Sequence, residues 1–499
     1  MPIHRRKVQF NRKAVAWGSL IFFVVWRAFL IVHYEGWYAF DEMYHISSSN
    51  EEFFYLSQYT RAPYINNMIR LLSEVFGKSY YVYKLIPFLL SIVSVGVLLC
   101  VLYHLTTHTY SIIVFIFIIC FHSVIIFNHL YIREYIWDEA VLSTLVLLLY
   151  LLSRAEALSG RIVLYILYIC LSMSLMVMQQ SSHWISLAVA VFGICAIVIN
   201  GVLSKILPGL KKQQYKMIIF ISIIIIFLVS EVLLIALRSG VIELPFSSNV
   251  INMIKKYEYQ GYPYFTRNFY RGGIGLLIGV MAYGYYLVRY VDDYSNNIIG
   301  IYCLGVSPFI IYNMIWFDCF PMRIYASYLP VLVLVAVLGF DLFPNRIIYK
   351  CLIAGFCMLM IIKPQSGMHL KEYIRVPYIY NETNFNNYGG LVEETQNAIE
   401  DGRRCICIWS NEHQEAAFEI DAEYTIALEN SINVANGYTR QDMDNLLRYL
   451  KNKNESYVLM IGPHCDWKIG VLREGFLEEL ITLYPYNKYD KNAYIFYIN

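Results

Sequence analysis

The sequence predicts a multi-pass α-helical membrane protein with about eleven transmembrane helices, followed by a small C-terminal extracytoplasmic α/β domain. Three observations lead to this fold class. Hydrophobic residues make up 58% of the 499 residues and charged residues only 15%, whereas about a quarter of a soluble domain is charged. Apolar runs of about twenty residues, long enough to cross a bilayer as helices, recur from the N-terminus to about position 363. Beyond that position charged residues become common, and strand-like segments alternate with helix-like ones.

Hydropathy and charge predict the membrane topology. The first span is expected to be a retained helix, because it is long and no small-residue cleavage site follows it. Lys and Arg concentrate in segments such as 5–13 and 204–216, and the positive-inside rule then predicts a cytoplasmic N-terminus. An odd number of spans places the C-terminal segment outside the cell membrane. The predicted spans, with errors of several residues at each end, are 14–33, 80–103, 111–127, 137–153, 162–178, 184–203, 217–237, 272–288, 297–315, 324–343 and 347–363.

Two domains are predicted from this layout. Residues 1–363 form the transmembrane domain, with a long polar first outer loop at 34–79, and residues 364–499 form the outer α/β domain. In the outer domain we expect strands at 405–409, 457–461 and 493–498, and helices near 391–400, 441–451 and 468–483. It contains no Gly-rich phosphate loop and no Cys/His metal spacing, so no chemistry is assigned to it.

Charge and cysteine usage exclude some classes of partner and scaffold. The net charge of +2 gives no reason to expect a polyanionic partner, and nucleic acid is not expected. The eleven cysteines are scattered, mostly in apolar runs where a thiol acts as a small hydrophobe. Cys405 and Cys407 would be neighbours on one strand face, where a disulfide has poor geometry. No disulfide framework is predicted.

An acidic pair, Asp41 and Glu42, lies about eight residues beyond the first span and is flanked by aromatic residues. At the membrane surface two adjacent carboxylates are partly desolvated, which raises at least one pKa and suits a general base or a metal ligand. These two residues are therefore the candidate catalytic groups. The alternative is a solvated acidic pair at the start of a loop, and the sequence alone leaves it open.

A second polar cluster, Arg133, Asp138 and Glu139, lies at the outer end of the fourth predicted span. Ionisable residues at the lip of an apolar helix are costly and tend to be paired or functional. Interfacial snorkelling with a local ion pair remains the alternative.

Cationic residues are predicted along the same outer rim. Lys84 begins the second span, His183 precedes the sixth, and Arg323 follows the ninth. Arg and Lys bind phosphate groups well, so a cationic rim near an acidic pair fits a phosphate-bearing substrate. A single histidine at a membrane edge is more often a satisfied hydrogen-bonding group, and the argument rests on the agreement among these positions.

These motifs, in this order, resemble those of polyprenol-phosphate-sugar-dependent glycosyltransferases of the GT-C type. That family includes the protein O-mannosyltransferases and the lipid A aminoarabinose transferases. The similar segments are Phe40-Asp41-Glu42, Arg61-Ala62-Pro63-Tyr64, Phe76-Gly77-Lys78-Ser79, Tyr83-Lys84-Leu85, Arg133 to Asp138 with the Leu-rich helix to Arg154, and Arg323-Ile324-Tyr325 to Leu329-Pro330. The chain departs from the family pattern where the second proline of its Pro-containing motif is missing, and where Lys84 replaces the commoner arginine.

The resemblance implies transfer of a sugar from a polyprenyl-phosphate donor to an envelope glycan, lipid or protein on the outer face. Asp41 would be the general base, and Glu42 would orient it. Lys84, Arg133 and Arg323 would stabilise the departing phosphate.

The resemblance also implies that Asp138, Arg61 and Tyr325 contribute to substrate binding. Glu139 and His183 are added to the substrate-binding candidates because they are predicted on the same outer rim. Metal dependence varies within the family, so the resemblance implies no certain cofactor. If a divalent metal such as Mg²⁺ or Mn²⁺ is required, Asp41 and Asp138 would hold it.

Two alternatives stay open. A transporter or flippase of lipid-linked sugars would also place polar groups in a membrane cavity, but it should carry charges deep in several spans. Within the spans only Glu231 and Arg27 stand out. An O-antigen-type polymerase or ligase would be expected to have a large outer loop late among the spans. A purely structural role would leave Asp41 and Glu42 unexplained.

Overall fold

The protein divides into two compact units. One unit comprises Met1–Phe29, Tyr59–Ala62 and Pro87–Pro377, and the other comprises Leu30–Gln58, Pro63–Ile86 and Tyr378–Asn499. The predicted boundary between residues 363 and 364 stays a prediction. The computed structural model describes residues 11–35, 37–39, 63–178 apart from 107 and 156, 327–341, 346–361, 385–387, 389–409, 420–428, 439–452, 455–463, 465–489 and 492–499, together with Glu42, His45, Ile46 and a few isolated positions.

The described part of the chain begins with helices and ends with a mixed sheet. In chain order its elements are α1 (Arg12–His33), β1 (Trp37–Ala39), α2 (Pro63–Phe76), α3 (Tyr80–Leu105), α4 (Thr109–Phe121), α5 (Ser123–Leu130), α6 (Glu134–Arg154), α7 (Leu158–Met178), α8 (Leu329–Asp341), α9 (Arg346–Ile361), β2 (Phe385–Asn387), α10 (Gly389–Glu400), β3 (Arg404–Trp409), β4 (Ala422–Ala427), α11 (Arg440–Asn452), β5 (Tyr457–Ile461), α12 (Asp466–Leu472), α13 (Phe476–Leu483), β6 (Tyr486–Tyr489) and β7 (Ala493–Ile498).

Three of the described helices are both long and apolar enough to cross a membrane: α1, α3 and residues Tyr135–Arg154 of α6. Four shorter apolar helices lie within α4, α7, α8 and α9. The chain is therefore an α-helical membrane protein with several spans, as hydropathy predicts. The predicted spans at 184–203, 217–237, 272–288 and 297–315 lie almost entirely outside the described residues, and the total number of spans stays a prediction.

The third predicted span is interrupted where the sequence pattern suggests one continuous helix. The structure ends α4 at Phe121 and begins α5 at Ser123, because His122 between them is extended, with φ −73° and ψ 119°. The His122 N–H still bonds the Ile118 carbonyl at 2.8 Å, so only the last carbonyls of α4 need partners from elsewhere. A continuous helix over 111–127 was thus a wrong prediction. The apolar residues on both sides hide the break from a hydropathy window.

A hydroxyl–carboxylate cluster joins α4, α8 and α9 of the first unit with Thr106, the residue that follows α3. Asp341, at the end of α8, accepts hydrogen bonds from the Thr106 hydroxyl at 2.6 Å and the Ser111 hydroxyl at 2.7 Å. Ser111 also lies 2.7 Å from the Tyr349 hydroxyl on α9. Ser111 is in the first turn of α4, so the Asp341 carboxylate lies near the positive end of that helix. These two hydroxyl groups meet part of the hydrogen-bonding capacity of a buried acid.

In the second unit, the start of the first outer loop pairs with a strand far along the chain. β1 and β2 are antiparallel, with Trp37 opposite Asn387 and Ala39 opposite Phe385. α2 follows in the same unit and ends at Phe76. Gly77, with φ +82°, then turns the chain into α3, a left-handed conformation that glycine adopts without strain.

The tail forms a five-stranded sheet with the order β4-β3-β5-β7-β6. β3 is parallel to both β4 and β5, whereas β7 is antiparallel to β5 and β6. One face carries the core: Ile406, Leu459 and Phe496 pack with Leu447 of α11 and Leu480 of α13, each almost completely buried. Alternation along β3 sends Cys405 and Cys407 to the opposite face, where their sulfur atoms lie 3.6 Å apart as free thiols.

The strands expected at 405–409, 457–461 and 493–498 are present as β3, β5 and β7. The sequence missed β4 and β6, which are the two edge strands. The helix expected over 468–483 is two helices, because Arg473 after α12 is extended, with φ −148° and ψ 105°, and Gly475 before α13 is left-handed, with φ +73°. Neither residue has α-helical dihedral angles, so the helix is interrupted between them.

Candidate functional site

A buried ion pair holds the acidic start of the first outer loop. The Lys84 ammonium group donates to the Glu42 carboxylate, with 2.5 Å between Nζ and Oε1. Glu42 is 0% exposed and Lys84 is 1% exposed. Lys84 projects from the second turn of α3, and its Nζ lies 5.6 Å from the ring centroid of Tyr80, one helical turn earlier. The aromatic ring therefore adds a cation–π contact to the pair.

The same loop is braced against α2. Nδ1 of His45 lies 2.8 Å from Oδ1 of Asn66, and both side chains are buried. Tyr34, where the loop leaves α1, is also buried, and this burial raises the pKa of its phenol. β1 pairs with β2 a few residues before Glu42. The candidate acidic group thus stands on a loop that is fixed at several points of the second unit.

Glu42 and Lys84 neutralise each other's buried charge. Breaking a buried ion pair leaves an uncompensated charge, which costs roughly 3–5 kcal/mol. Glu42 and Lys84 therefore depend on each other for their position. A carboxylate that is fixed in this way can orient its neighbours, but it is poorly suited to collect a proton.

Arg133 anchors the candidate cluster in the first unit. It lies at the N-terminus of α6, is 4% exposed, and its guanidinium carbon lies 5.6 Å from the Tyr135 ring centroid and 5.8 Å from that of Tyr131. The Ser327 hydroxyl donates to the Tyr135 carbonyl at 2.8 Å, which ties this helix start to the segment before α8. Guanidinium groups packed between aromatic rings keep their planar donors oriented for an anion.

Asp138 and Glu139 follow in the next turn of α6, and both are buried. Glu139 receives three hydrogen bonds from protein groups. Its Oε1 lies 2.8 Å from both the His129 Nε2 and the Ser94 hydroxyl, and its Oε2 lies 2.7 Å from the Asn128 amide nitrogen. Such a carboxylate is stable inside a membrane domain because its hydrogen-bonding capacity is met by the protein.

Five of the predicted site residues fall within the described part of the chain: Glu42, Lys84, Arg133, Asp138 and Glu139. The structure brings Glu42 and Lys84 into direct contact. It places Arg133 at the N-cap of α6, and Asp138 and Glu139 on the second turn of that helix. Their catalytic and binding roles stay predictions. The other five predicted residues, Asp41, Arg61, His183, Arg323 and Tyr325, lie outside the described residues.

The described residues contain no group of three or more His, Cys, Asp or Glu side chains placed to hold a metal ion. Asp41 is outside that set, so metal binding by Asp41 and Asp138 stays a prediction.

The sequence reasoning did not single out the residues that surround Glu139. Ser94, Asn128 and His129 lie in or beside apolar segments, and Arg27 was noted only as a charge inside a span. Polar residues inside membrane segments are usually buried within the protein and paired. The signal in the sequence was the presence of these polar residues inside apolar segments. It could have grouped Ser94, Asn128 and His129 as donors to a common acceptor, Glu139.

Comparison with known proteins adds one likeness. No protein-family model matches the chain, and no curated protein sequence matches it. Among solved structures, the chain is similar to the crystal structure of ArnT from Cupriavidus metallidurans in the apo state. The alignment covers 97% of this chain and 98% of ArnT, at 11% sequence identity and a TM-score of 0.45.

Proposed function

We propose that this protein is a membrane glycosyltransferase that moves a sugar from a polyprenyl-phosphate donor to an acceptor on the outer face of the cell membrane. The acceptor is an envelope glycan, lipid or protein. The observation that carries the proposal is the buried Glu42–Lys84 ion pair, which fixes the acidic start of the first outer loop against the beginning of α3.

The ion pair separates the roles of the two adjacent acids. Glu42 is committed to Lys84, so it serves as an orienting group. Asp41, its neighbour in the chain, is then the general base. The Lys84 ammonium has three donor hydrogens, and one of them binds Glu42. In the proposal the Lys84 ammonium also binds an oxygen of the donor phosphate.

The proposed reaction is a single inverting displacement. The acceptor hydroxyl attacks the anomeric carbon of the sugar, and Asp41 takes the hydroxyl proton. The bond between the anomeric carbon and the phosphate oxygen breaks, and polyprenyl phosphate leaves with the electron pair. Lys84, Arg133 and Arg323 stabilise the charge that develops on the leaving phosphate. Asp138, Arg61 and Tyr325 are assigned to substrate binding on the family resemblance, and His183 on its predicted place at the outer rim.

The experiment compares purified wild-type protein and variants in lipid nanodiscs. Synthetic polyprenyl-phosphate mannose and polyprenyl-phosphate aminoarabinose serve as donors, a crude cell-envelope fraction serves as the acceptor, and released polyprenyl phosphate is quantified by mass spectrometry. We expect Asp41→Asn to lower release at least 100-fold, about the contribution of a general base. Lys84→Met and Glu42→Gln should also lower it.

Glu74→Gln is the matched control. Glu74 is an exposed acid on α2, and its ion pair with Arg70 is a surface contact one helical turn long. This variant should release polyprenyl phosphate at the wild-type rate. Full activity of Asp41→Asn would refute the assignment of the base. Failure of the wild-type protein with both donors, or donor movement across proteoliposome membranes without release of polyprenyl phosphate, would refute the transferase proposal. The second result would favour a transporter. Repeating the wild-type assay with EDTA tests the expected Mg²⁺ or Mn²⁺ requirement.

A further inference from the structure

A second charged group lies inside the first unit and is connected to Glu139. Arg27 projects from α1 and is 0% exposed. Its Nε donates to Nδ1 of His129 at 3.1 Å, and the opposite ring nitrogen of His129 lies 2.8 Å from Glu139. Arg27, His129 and Glu139 thus form a continuous line of hydrogen bonds between a cation and an anion, which we name the counter-ion triad.

Arg27 also completes the end of α4. Its two terminal nitrogens donate to the Ile119 carbonyl at 2.6 Å and to the Cys120 carbonyl at 3.3 Å. These carbonyls belong to the last turn of α4, where helical partners are missing and the helix dipole is negative. Trp26 adds a hydrogen bond from its indole nitrogen to Cys120 at 3.0 Å. The break at His122 therefore has a function in the packing, because it exposes the helix end that binds the guanidinium group.

The contacts fix the protonation of His129. A guanidinium nitrogen is always a donor, so Nδ1 of His129 must be the acceptor in its contact with Arg27. The ring proton then lies on Nε2 and is donated to Glu139. An imidazolium would direct an N–H group at the guanidinium, which is unfavourable. The ring between the two charges is therefore neutral, with a single tautomer.

We propose that the counter-ion triad is a positioning device for α6, with Glu139 as its positioning residue rather than a group that contacts substrate. A lone arginine or glutamate inside a span is costly, and the triad neutralises both. Through Ser94 and Asn128, the Glu139 carboxylate also connects α3 and α5 to α6. The part that concerns catalysis rests on the proposed function, because Asp138 is next to Glu139 on α6 and Arg133 is the N-cap residue of the same helix.

The first test is a double-mutant cycle on thermal stability in nanodiscs. In Glu139→Gln the new amide oxygen can accept the hydrogen bonds from His129 and Ser94. Its amide nitrogen can donate to the Asn128 amide oxygen once the Asn128 side chain flips, so the variant mainly loses the charge. We expect Glu139→Gln and Arg27→Gln each to lower Tm by about 5–10 °C, because one buried charge is left without its partner. The double variant should recover most of that loss. A double variant whose loss equals the sum of the single losses would overturn the counter-ion role.

The control is Ser143→Ala. Ser143 lies one turn after Glu139, and its hydroxyl contacts Ser94 at 2.8 Å but does not contact the carboxylate. Removing it should shift Tm much less than either charge variant does.

The second test reads the tautomer directly. In protein labelled with ¹⁵N-histidine, the signals of His129 are identified by their disappearance in His129→Gln. We expect a protonated Nε2 and an unprotonated Nδ1 in the wild type, with loss of that preference in Arg27→Met. Protonation of both ring nitrogens at pH 7 would contradict the triad. This measurement and the stability cycle remain decisive if the transferase proposal fails.

The third test addresses positioning. With an active transferase, Glu139→Gln should lower kcat while KM changes little, and Glu139→Gln with Arg27→Gln should restore part of kcat. A change confined to KM would indicate direct substrate contact by Glu139.

Discussion

Cys465 should be nearly inert towards maleimides in the folded protein. It begins α12, is 0% exposed, and its pKa is raised to about 12, mainly by burial. Nearby Lys468 lowers this pKa and Asp466 raises it, but both effects are smaller than that of burial. The thiolate is the reactive form of cysteine. The environment of Cys465 therefore suppresses its reaction in two ways, by excluding the reagent and by keeping the sulfur protonated.

The size of the effect follows from the pKa. At pH 8 a thiol with a pKa of about 12 is ionised in about one molecule in 10,000. An ordinary cysteine, with a pKa of about 8.5, is ionised in about one molecule in four. Ionisation alone should therefore slow alkylation about 2,000-fold, and burial slows it further. Raising the pH to 9 should speed the reaction of Cys465 about tenfold, whereas an ordinary thiol gains only about threefold.

The comparison thiol is provided by Ser456→Cys, at an exposed position just before β5 in the same domain. A membrane-impermeant maleimide is added to intact cells and then to denatured protein, and labelling is followed by peptide mass spectrometry. We expect rapid labelling of Ser456→Cys from outside, and labelling of Cys465 only after denaturation. A native Cys465 rate within tenfold of that of Ser456→Cys would refute the argument from burial. Labelling of Ser456→Cys only after the cells are permeabilised would refute the predicted outer location of the tail.

Two further predictions concern the stability of the tail, measured by urea unfolding of the full-length protein. Hydrogen bonds from Lys451 at 2.6 Å and Arg473 at 2.7 Å lower the pKa of Glu479. The stabilisation of the folded state by Glu479 should therefore be complete above the ordinary glutamate pKa of about 4.3. It should disappear as the pH falls through the lower pKa that Glu479 has in the folded protein. Because these ion pairs are largely exposed, Glu479→Gln should lower the free energy of unfolding by less than about 1 kcal/mol at pH 7 and should leave it unchanged at pH 2. An equal decrease at both pH values would contradict this prediction. Gly475→Ala should cost about 1 kcal/mol, because Gly475 has φ +73° and no heavy atom stands within 4 Å of an added Cβ. The matched variant is Gly470→Ala, inside α12, where an added Cβ also has no heavy atom within 4 Å. It should instead raise the free energy of unfolding by about 0.5–1 kcal/mol. A change of the same sign in both variants would refute the conformational argument.

Local patterns were enough to locate the regular elements that are continuous and strongly apolar. The span expected at 80–103 is α3, at Tyr80–Leu105, and the strands expected at 457–461 and 493–498 have those bounds. The length of the apolar run sets the bounds of such an element, and a short window of the sequence is enough to see it. The edge strand β6 was missed because its residues, Tyr486–Tyr489, are mostly exposed and polar. An edge strand depends on its single neighbour, and that neighbour is invisible in a local window.

The candidate site was predictable only as a set of residue types. The outer-rim argument selected Glu42 and Lys84, but it did not predict that they contact each other across the loop. The partners of Glu139 were missed because Ser94, Asn128 and His129 come from other helices. Hydrogen-bond geometry of this kind depends on how helices pack, which periodicity does not report. Substrate binding by Glu139 stays a prediction, and our proposal of a positioning role would replace it.

The pairing of β1 with β2 has a consequence for how the protein is made. Trp37 emerges from the ribosome early, but its partner Asn387 is synthesised only after nearly all the predicted spans. The first loop, with its acidic pair, is predicted to lie on the outer side of the membrane, and it would wait there until the tail is translocated. During that interval the two short strands are unpaired. A chain interrupted after its last span would insert normally but would lack β2, so β1 would have no strand to pair with. Assembly of the acidic site would therefore be completed only after the whole chain has been synthesised.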